Sequence, residues 1–286
     1  MKEIVVLSGK GGTGKTSIVG SLAALAQNKV LVDCDVDAAD LHLLLRPVLR
    51  EQHDFLSGQT AYIDEDKCKK CGLCAGYCRF NAIKGFRVDP TSCEGCGFCF
   101  HLCSVEAITM KENLAGQWFI SDTRYGDLVH ARLGIARENS GKLVALVRQK
   151  ARELAEKQGA DYIISDGPPG IGCPVISSLS GTDLALLVTE PTLSGQHDLE
   201  RVISVCSHFK VPAMVCINKY DINKENAQSI ESYCRNQEIP VAARIPFDNV
   251  VTEAIVKGLP VVEYSRDGIS REITALWGKI TASLQK

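Results

Sequence analysis

Ile4-Val5-Val6-Leu7-Ser8-Gly9-Lys10-Gly11-Gly12-Thr13-Gly14-Lys15-Thr16-Ser17 is the stretch that decides the fold. The apolar residues at its head read as a short buried strand. The run behind it carries Ile18, Val19, Leu22, Leu25 and Ala26 on one stripe and reads as an amphipathic helix. Between them, Gly9 to Thr16 matches G-x-x-x-x-G-K-[ST] at every position. Glycines at these places let backbone N–H groups converge on phosphate oxygens at the positive end of a helix. Lys15 then reaches the β- and γ-phosphates, and the Thr16 hydroxyl meets Mg²⁺. Gly9, Lys10, Gly11, Gly12, Thr13, Gly14, Lys15, Thr16 and Ser17 are the expected phosphate cradle.

Working outward, further apolar runs end in acids. Val30-Leu31-Val32 closes in Asp33-Cys34-Asp35, and Tyr162-Ile163-Ile164-Ser165 closes in Asp166. Leu184–Val188 and Ala213–Ile217 are of the same buried-strand type. Their alternation with longer helical patterns predicts an α/β fold, a mostly parallel sheet with helices on both faces. Asp166 is placed to hold Mg²⁺ through water. The Gly167-Pro168-Pro169-Gly170 that follows reads as a Gly/Pro turn.

The chain has 286 residues, 45% hydrophobic and 23% charged, enough for one large domain, or one with a smaller one attached. Acids number 34 against 32 Lys and Arg, a net charge of −2, so the balance asks for neither nucleic acid nor an anionic membrane. No apolar run approaches the roughly 18 residues of a membrane span. Met1-Lys2-Glu3 leads straight into the first strand, so no leader and a cytoplasmic location are expected. Ile269, Ile273, Leu276, Trp277, Ile280 and Leu284 form a helical stripe with little positive charge beside it, which predicts a last helix docked on the sheet rather than a membrane anchor.

Cysteine is the anomaly. Of the 13, eight fall between Cys68 and Cys103. Displacing the sequence by 25 positions maps Cys68, Cys71, Cys74 and Cys78 onto Cys93, Cys96, Cys99 and Cys103, Gly72 onto Gly97, and Ala82-Ile83 onto Ala107-Ile108. Each half reads C-x2-C-x2-C-x3-C. Three thiolates at that spacing wrap one cubane and the fourth ligates its neighbour. Cys68, Cys71, Cys74 and Cys103 are therefore expected on one 4Fe-4S cluster, and Cys93, Cys96, Cys99 and Cys78 on the other. Zinc knuckles would instead pair C-x2-C across a longer spacer. The block resembles the bacterial two-cluster ferredoxin domain, except that Arg79 and Ser104 stand where that pattern usually has proline. The expected domains are a P-loop ATPase domain at 1–59 and 112–286 and an inserted ferredoxin domain at 60–111.

Lys10-Gly11-Gly12-Thr13-Gly14-Lys15-Thr16 resembles the deviant phosphate loop of the MinD, ParA and nitrogenase iron-protein family. The resemblance extends to a sub-branch carrying an inserted ferredoxin domain. It implies a homodimer formed on nucleotide binding, with Lys10 crossing to the partner's nucleotide, comparable to an arginine finger. It further implies Asp35 as the group that lies near Mg²⁺ and orients the attacking water, so Lys10, Lys15 and Asp35 are the expected catalytic set, and Gly167, Pro168, Pro169 and Gly170 as a second switch that feels the γ-phosphate. Asn218-Lys219-Tyr220-Asp221 fits the guanine-reading N-K-x-D pattern. An asparagine at this point reads adenine in the family, and Pro246, Phe247 and Asp248 resemble its base-edge loop. ATP is favoured over GTP. Cys173, seven residues after Asp166, has an offset similar to that of the cluster cysteine of the iron protein; a bridging metal and a packed switch residue both fit.

The leading expectation is an ATP-dependent iron–sulfur protein passing electrons to a partner redox or acceptor protein. The alternatives are a cofactor-assembly ATPase, and a positioning or scaffold ATPase with structural clusters.

Overall fold

The computed structural model describes residues 1–134, 139–266 and 268–285. Two compact units divide the chain: Met1–Gln52, Trp118–Arg132 and Ser140–Lys286 form the first, and His53–Gln117 with Leu133–Asn139 form the second. The main segment of the second unit thus begins seven residues before and ends six residues after the expected 60–111.

The strands are β1 (Lys2–Ser8), β2 (Lys29–Asp33), β3 (Val48–Ile63), β4 (Ile83–Lys84), β5 (Arg87–Val88), β6 (Ile108–Thr123), β7 (Gly126–Leu133), β8 (Tyr162–Pro169), β9 (Leu184–Thr189), β10 (Ala213–Asn218) and β11 (Val241–Ile245). The helices are α1 (Lys15–Leu25), α2 (Leu41–Leu45), α3 (Leu73–Gly76), α4 (Phe98–Leu102), α5 (Ser140–Gln158), α6 (Cys173–Leu179), α7 (Leu193–His208), α8 (Lys224–Asn236), α9 (Val250–Lys257), α10 (Val261–Tyr264) and α11 (Ile269–Leu284).

The main sheet runs β11-β10-β9-β1-β8-β2-β7-β6-β3, and its pairings from β11 to β7 are parallel. This is the mostly parallel α/β sheet expected from the sequence. Central strands are covered on both faces, which is why they read as unbroken apolar runs. Ile4 and Val6 of β1 face one core with Leu22, Ile273 and Leu276, while Val5 and Leu7 face the other with Val175, Leu199 and Ile230. Register sets Val6 opposite Asp166, and Asp166 opposite Asp33. Asp33 at the end of β2 and Asp166 within β8 therefore share one level towards the carboxyl end of the sheet, where ligands bind in open α/β folds.

Three elements differ from the sequence reading. Helix α1 is buried nearly all round, Gly20, Ser21 and Ala23 included, instead of on one stripe. Leu44 of α2 explains Gly20: a Cβ there would meet Leu44 Cδ1 at 2.8 Å. Second, Gly167, Pro168 and Pro169 do not form a turn but extend β8. A register shift sets Ser8 opposite Pro169, and the turn begins at Gly170, φ 89°. Third, β3 and β6 each run 16 residues through a mostly polar sequence that carries no strand-like alternation. The stripe of α11 docks as expected, with Ile269, Ile273, Leu276 and Ile280 in the core. Among the described residues no helix is long and apolar enough to cross a membrane.

The second unit carries the cysteine repeat, and its backbone repeats with its sequence. Lys70 and Gly95, Gly72 and Gly97, and Asn81 and Glu106 all have positive φ, each pair 25 residues apart. Gly72 and Gly97 begin α3 and α4. Ala61, Ile63, Ile83 and Ile108 form a small core, with six of the eight cysteines packed on it.

Candidate functional site

The loop from Gly9 to Gly14 joins β1 to α1 in the order expected. Gly9 is required by close approach, since a Cβ there would stand 2.7 Å from the backbone carbon of Asp198. Gly14 caps α1 at φ 87°, in the left-handed region that glycine tolerates. Thr13 is buried and its hydroxyl has no hydrogen-bond partner among the described residues. A buried orphan donor in a loop of converging amides is suited to a phosphate oxygen.

Lys15 is 6% exposed and its ammonium lies 2.5 Å from Asp166 Oδ1. Burial alone would lower its pKa, but the charge and hydrogen bond of Asp166, aided by Asp33 and Asp35, hold it above the ordinary lysine value. Asp33 is fully enclosed: burial first, then the Asp166 charge, hold its carboxyl well above the usual range. It accepts from the Asp35 and Leu41 amides at 3.1 and 3.2 Å, which fixes the chain after β2. Asp35 is half-buried, and burial raises its pKa to about 6 against the pull of Lys15. Asp35 and Asp166 thus place two carboxylates beside the buried Lys15, and Thr16 follows it in the chain; hydroxyl and carboxylate oxygens are hard donors of the kind Mg²⁺ takes.

Lys10 is held by its own chain. Its ammonium lies 3.4 Å from Glu190 Oε2, 3.4 Å from Thr192 Oγ1 and 3.5 Å from Ser194 Oγ. The other Glu190 oxygen takes Lys219 at 2.5 Å. Glu190 was not singled out in the sequence, although Thr189-Glu190 ends an apolar run as Asp33 and Asp166 do. Its two partners are 180 and 29 residues away, beyond any local pattern.

The N-K-x-D segment is built into the walls of the site. Asn218 Nδ2 donates to the Thr13 carbonyl at 2.8 Å, and Lys219 Nζ lies 3.4 Å from the Gly12 carbonyl. Asp221 Oδ1 accepts from the Phe247 amide at 2.7 Å, and Asp248 Oδ1 from the Val250 amide at 3.0 Å. Pro246–Asp248 follows β11, so the segment lies at the same sheet end as the phosphate loop.

In the second unit, a cavity of about 510 Å³ is lined by Cys78, Cys93, Cys96 and Cys99, with Cys74 also on its wall. A second, of about 120 Å³, is lined by Cys68, Cys71, Cys74 and Cys103. Amides point at three sulfurs: Lys70 at Cys68, 3.4 Å, and the repeat-related pair Ala82 at Cys78, 3.4 Å, and Ala107 at Cys103, 3.3 Å. Among the described residues no three His, Cys, Asp or Glu side chains converge as on a single metal ion.

The remaining cysteines divide. Cys34, Cys206, Cys216 and Cys234 are buried, and burial raises the thiols of Cys206 and Cys216 to about 12 and of Cys234 to about 11, so they are inert core residues. Cys173 is exposed at the start of α6, beside Gly141 of α5.

The family model of the CobQ/CobB/MinD/ParA nucleotide binding domain (CbiA) matches residues 4–261. An uncharacterised protein of Methanocaldococcus jannaschii is 32% identical over 284 residues, covering 97% of this chain and 96% of that protein. The septum site-determining protein MinD of Bacillus subtilis is 24% identical over 270 residues, covering 91% and 81%. Among solved structures, MinD of Pyrococcus horikoshii complexed with Mg-ADP matches with a TM-score of 0.59 at 20% identity, covering 98% of this chain and 95% of that one.

Proposed function

The chain belongs to the CobQ/CobB/MinD/ParA nucleotide-binding family and is a P-loop ATPase, and from that premise we propose that it is a nucleotide-switched homodimer whose second unit holds iron–sulfur clusters. The observation that carries the switch is the set of temporary ion pairs around the cradle. Lys15 is bound to Asp166, and Lys10 to Glu190. ATP phosphates compete for Lys15, which releases the Asp166 carboxylate to the metal side of the nucleotide. Thr16, Asp35 and Asp166 would hold Mg²⁺, which screens the β- and γ-phosphate charge when bound. Asp35, once ionised, accepts a hydrogen bond from the attacking water and orients it. Lys10 leaves Glu190 to neutralise charge on the nucleotide of the partner subunit, and Gly170 at the end of β8 follows the γ-phosphate.

Of the purposes set out from the sequence, a positioning ATPase accords best with the relatives whose names give a role, the septum-site-determining MinD proteins. Cluster binding itself has separate support. Each of the two cavities is lined by one expected quartet, the donor set is all thiolate, and amides face three of the sulfurs. Cys68, Cys71, Cys74 and Cys103 would hold one 4Fe-4S cluster and Cys78, Cys93, Cys96 and Cys99 the other; such clusters store and pass single electrons when bound.

Turnover on anaerobically purified protein, oxidised and reduced, separates the purposes. A rate indifferent to redox state, with iron at about eight per chain (two four-iron clusters), is the result expected for a positioning ATPase with structural clusters. A rate that changes with redox state would restore the electron-transfer reading. Iron-free protein with unchanged turnover would remove the clusters from the account.

A further inference from the structure

We infer, on the proposal that the second unit binds clusters, that its two cysteine quartets are electrically unequal: the cluster on Cys68, Cys71, Cys74 and Cys103 takes an electron before the one on Cys78, Cys93, Cys96 and Cys99. The repeat that copies the cysteines does not copy the charges. Residues 67–88 carry six Lys and Arg and no acid, whereas the matching residues 92–113 carry Glu94, Glu106 and Glu112 against Lys111 alone. Lys69 maps onto Glu94, Lys70 onto Gly95 and Arg79 onto Ser104.

Both members of the first pair stand on cavity walls. Among the described residues, Lys69 is the one Lys, Arg, Asp or Glu lining the smaller cavity, while Glu94 lines the larger together with Arg79. The first quartet therefore faces a net positive charge and the second a balanced pair. Reduction adds one negative charge to a cluster, which a neighbouring cation stabilises and an anion opposes. The step consumes one electron from an external one-electron donor; no bond breaks and no proton moves. Hydrogen bonds to sulfur act in the same direction. The Lys70 and Ala107 amides donate to Cys68 Sγ and Cys103 Sγ, both in the first quartet. The second quartet has the Ala82 amide on Cys78 Sγ, and Gly95, the counterpart of Lys70, donates nothing to Cys93 among the described residues. Solvent does not separate the two. Each quartet has one exposed cysteine, Cys71 and Cys96, and these two are repeat-related.

Stepwise reduction of full-length, anaerobically purified protein with titanium(III) citrate, followed by absorbance and electron paramagnetic resonance, tests this. Wild type is compared with Lys69→Glu, Lys69→Arg and Glu94→Lys, each checked for iron at about eight per chain (two four-iron clusters). Wild type is expected to reduce in two resolved waves. Lys69→Glu lowers the upper wave and Glu94→Lys raises the lower, each leaving the other wave in place, and Lys69→Arg leaves both. Lys69 and Glu94 are exposed, so added salt screens them and narrows the gap between the waves. A single wave in iron-loaded wild type overturns the inference and leaves cluster binding standing. Charge reversals that move neither wave, both equally, or the wrong one do the same. Iron-free protein overturns cluster binding, and the inequality of the quartets with it.

Discussion

Asp35 shows how much of the chemistry depends on one environment. Burial raises its pKa to about 6, although Lys15 opposes the shift. A carboxyl must be ionised to accept a hydrogen bond from water, and a raised pKa means the ionised form is lost as pH falls through about 6. Because kcat/KM reports groups of the free enzyme, its acid limb is expected near that value. Asp35→Asn removes the limb and lowers turnover by about 100-fold, on the order of a lost general acid–base group. A profile flat from pH 5 to pH 8 in wild type would contradict the assignment. The same scale holds the features that were legible in advance. Lys15, Asp166 and Asp35 lie in contiguous motifs, and the structure brings the three together. Glu190 and the Asp221–Phe247 bond depend on partners far along the chain, so no spacing announces them.

At the scale of elements, the phosphate loop is only as rigid as the strand that feeds it. Glu3, in β1, is 4% exposed and takes Arg148 of α5 on one oxygen and Arg152 on the other. Arg148 also reaches Thr182 at 3.0 Å, and Arg152 the Ser180 carbonyl at 3.0 Å. This cluster fastens β1, α5 and the segment after α6 to each other on the face opposite α1. Removing one partner of a buried pair leaves the other charge uncompensated. Glu3→Gln is therefore expected to cost about 3–5 kcal/mol, read as a drop in melting temperature on the order of 10 °C. A drop below about 2 °C would mean the cluster is dispensable. From the sequence, Glu3 is merely the polar residue before an apolar strand. The strand β3 was equally hidden, because seven consecutive residues, Val48–Asp54, are exposed and leave no alternating pattern. The Gly167–Pro169 extension of β8 misled in the other direction. Glycine and proline are turn residues locally, but here the strand continues. Gly167 lies so close to Leu7 that a Cβ would stand 2.4 Å from its Cδ2.

For the molecule as a whole, the central claim is that two copies complete each other's catalytic sites. Lys10 in one protomer is occupied by Glu190, Thr192 and Ser194 of its own chain. On the proposed reading it acts when a nucleotide on another copy offers a stronger charge. An equivalent group supplied in trans is worth roughly 10³–10⁵ in rate in other phosphoryl-transfer enzymes, so Lys10→Ala alone should be nearly inactive while still binding ATP. Mixing two dead variants then separates trans from cis action. Lys10→Ala keeps Asp35, and Asp35→Asn keeps Lys10; a mixed dimer has one complete site. ATPase turnover of the equimolar mixture is the decisive measurement. With random pairing, half the dimers are mixed and one of their two sites works, so about a quarter of wild-type turnover should return. A mixture no more active than its two components would contradict the account.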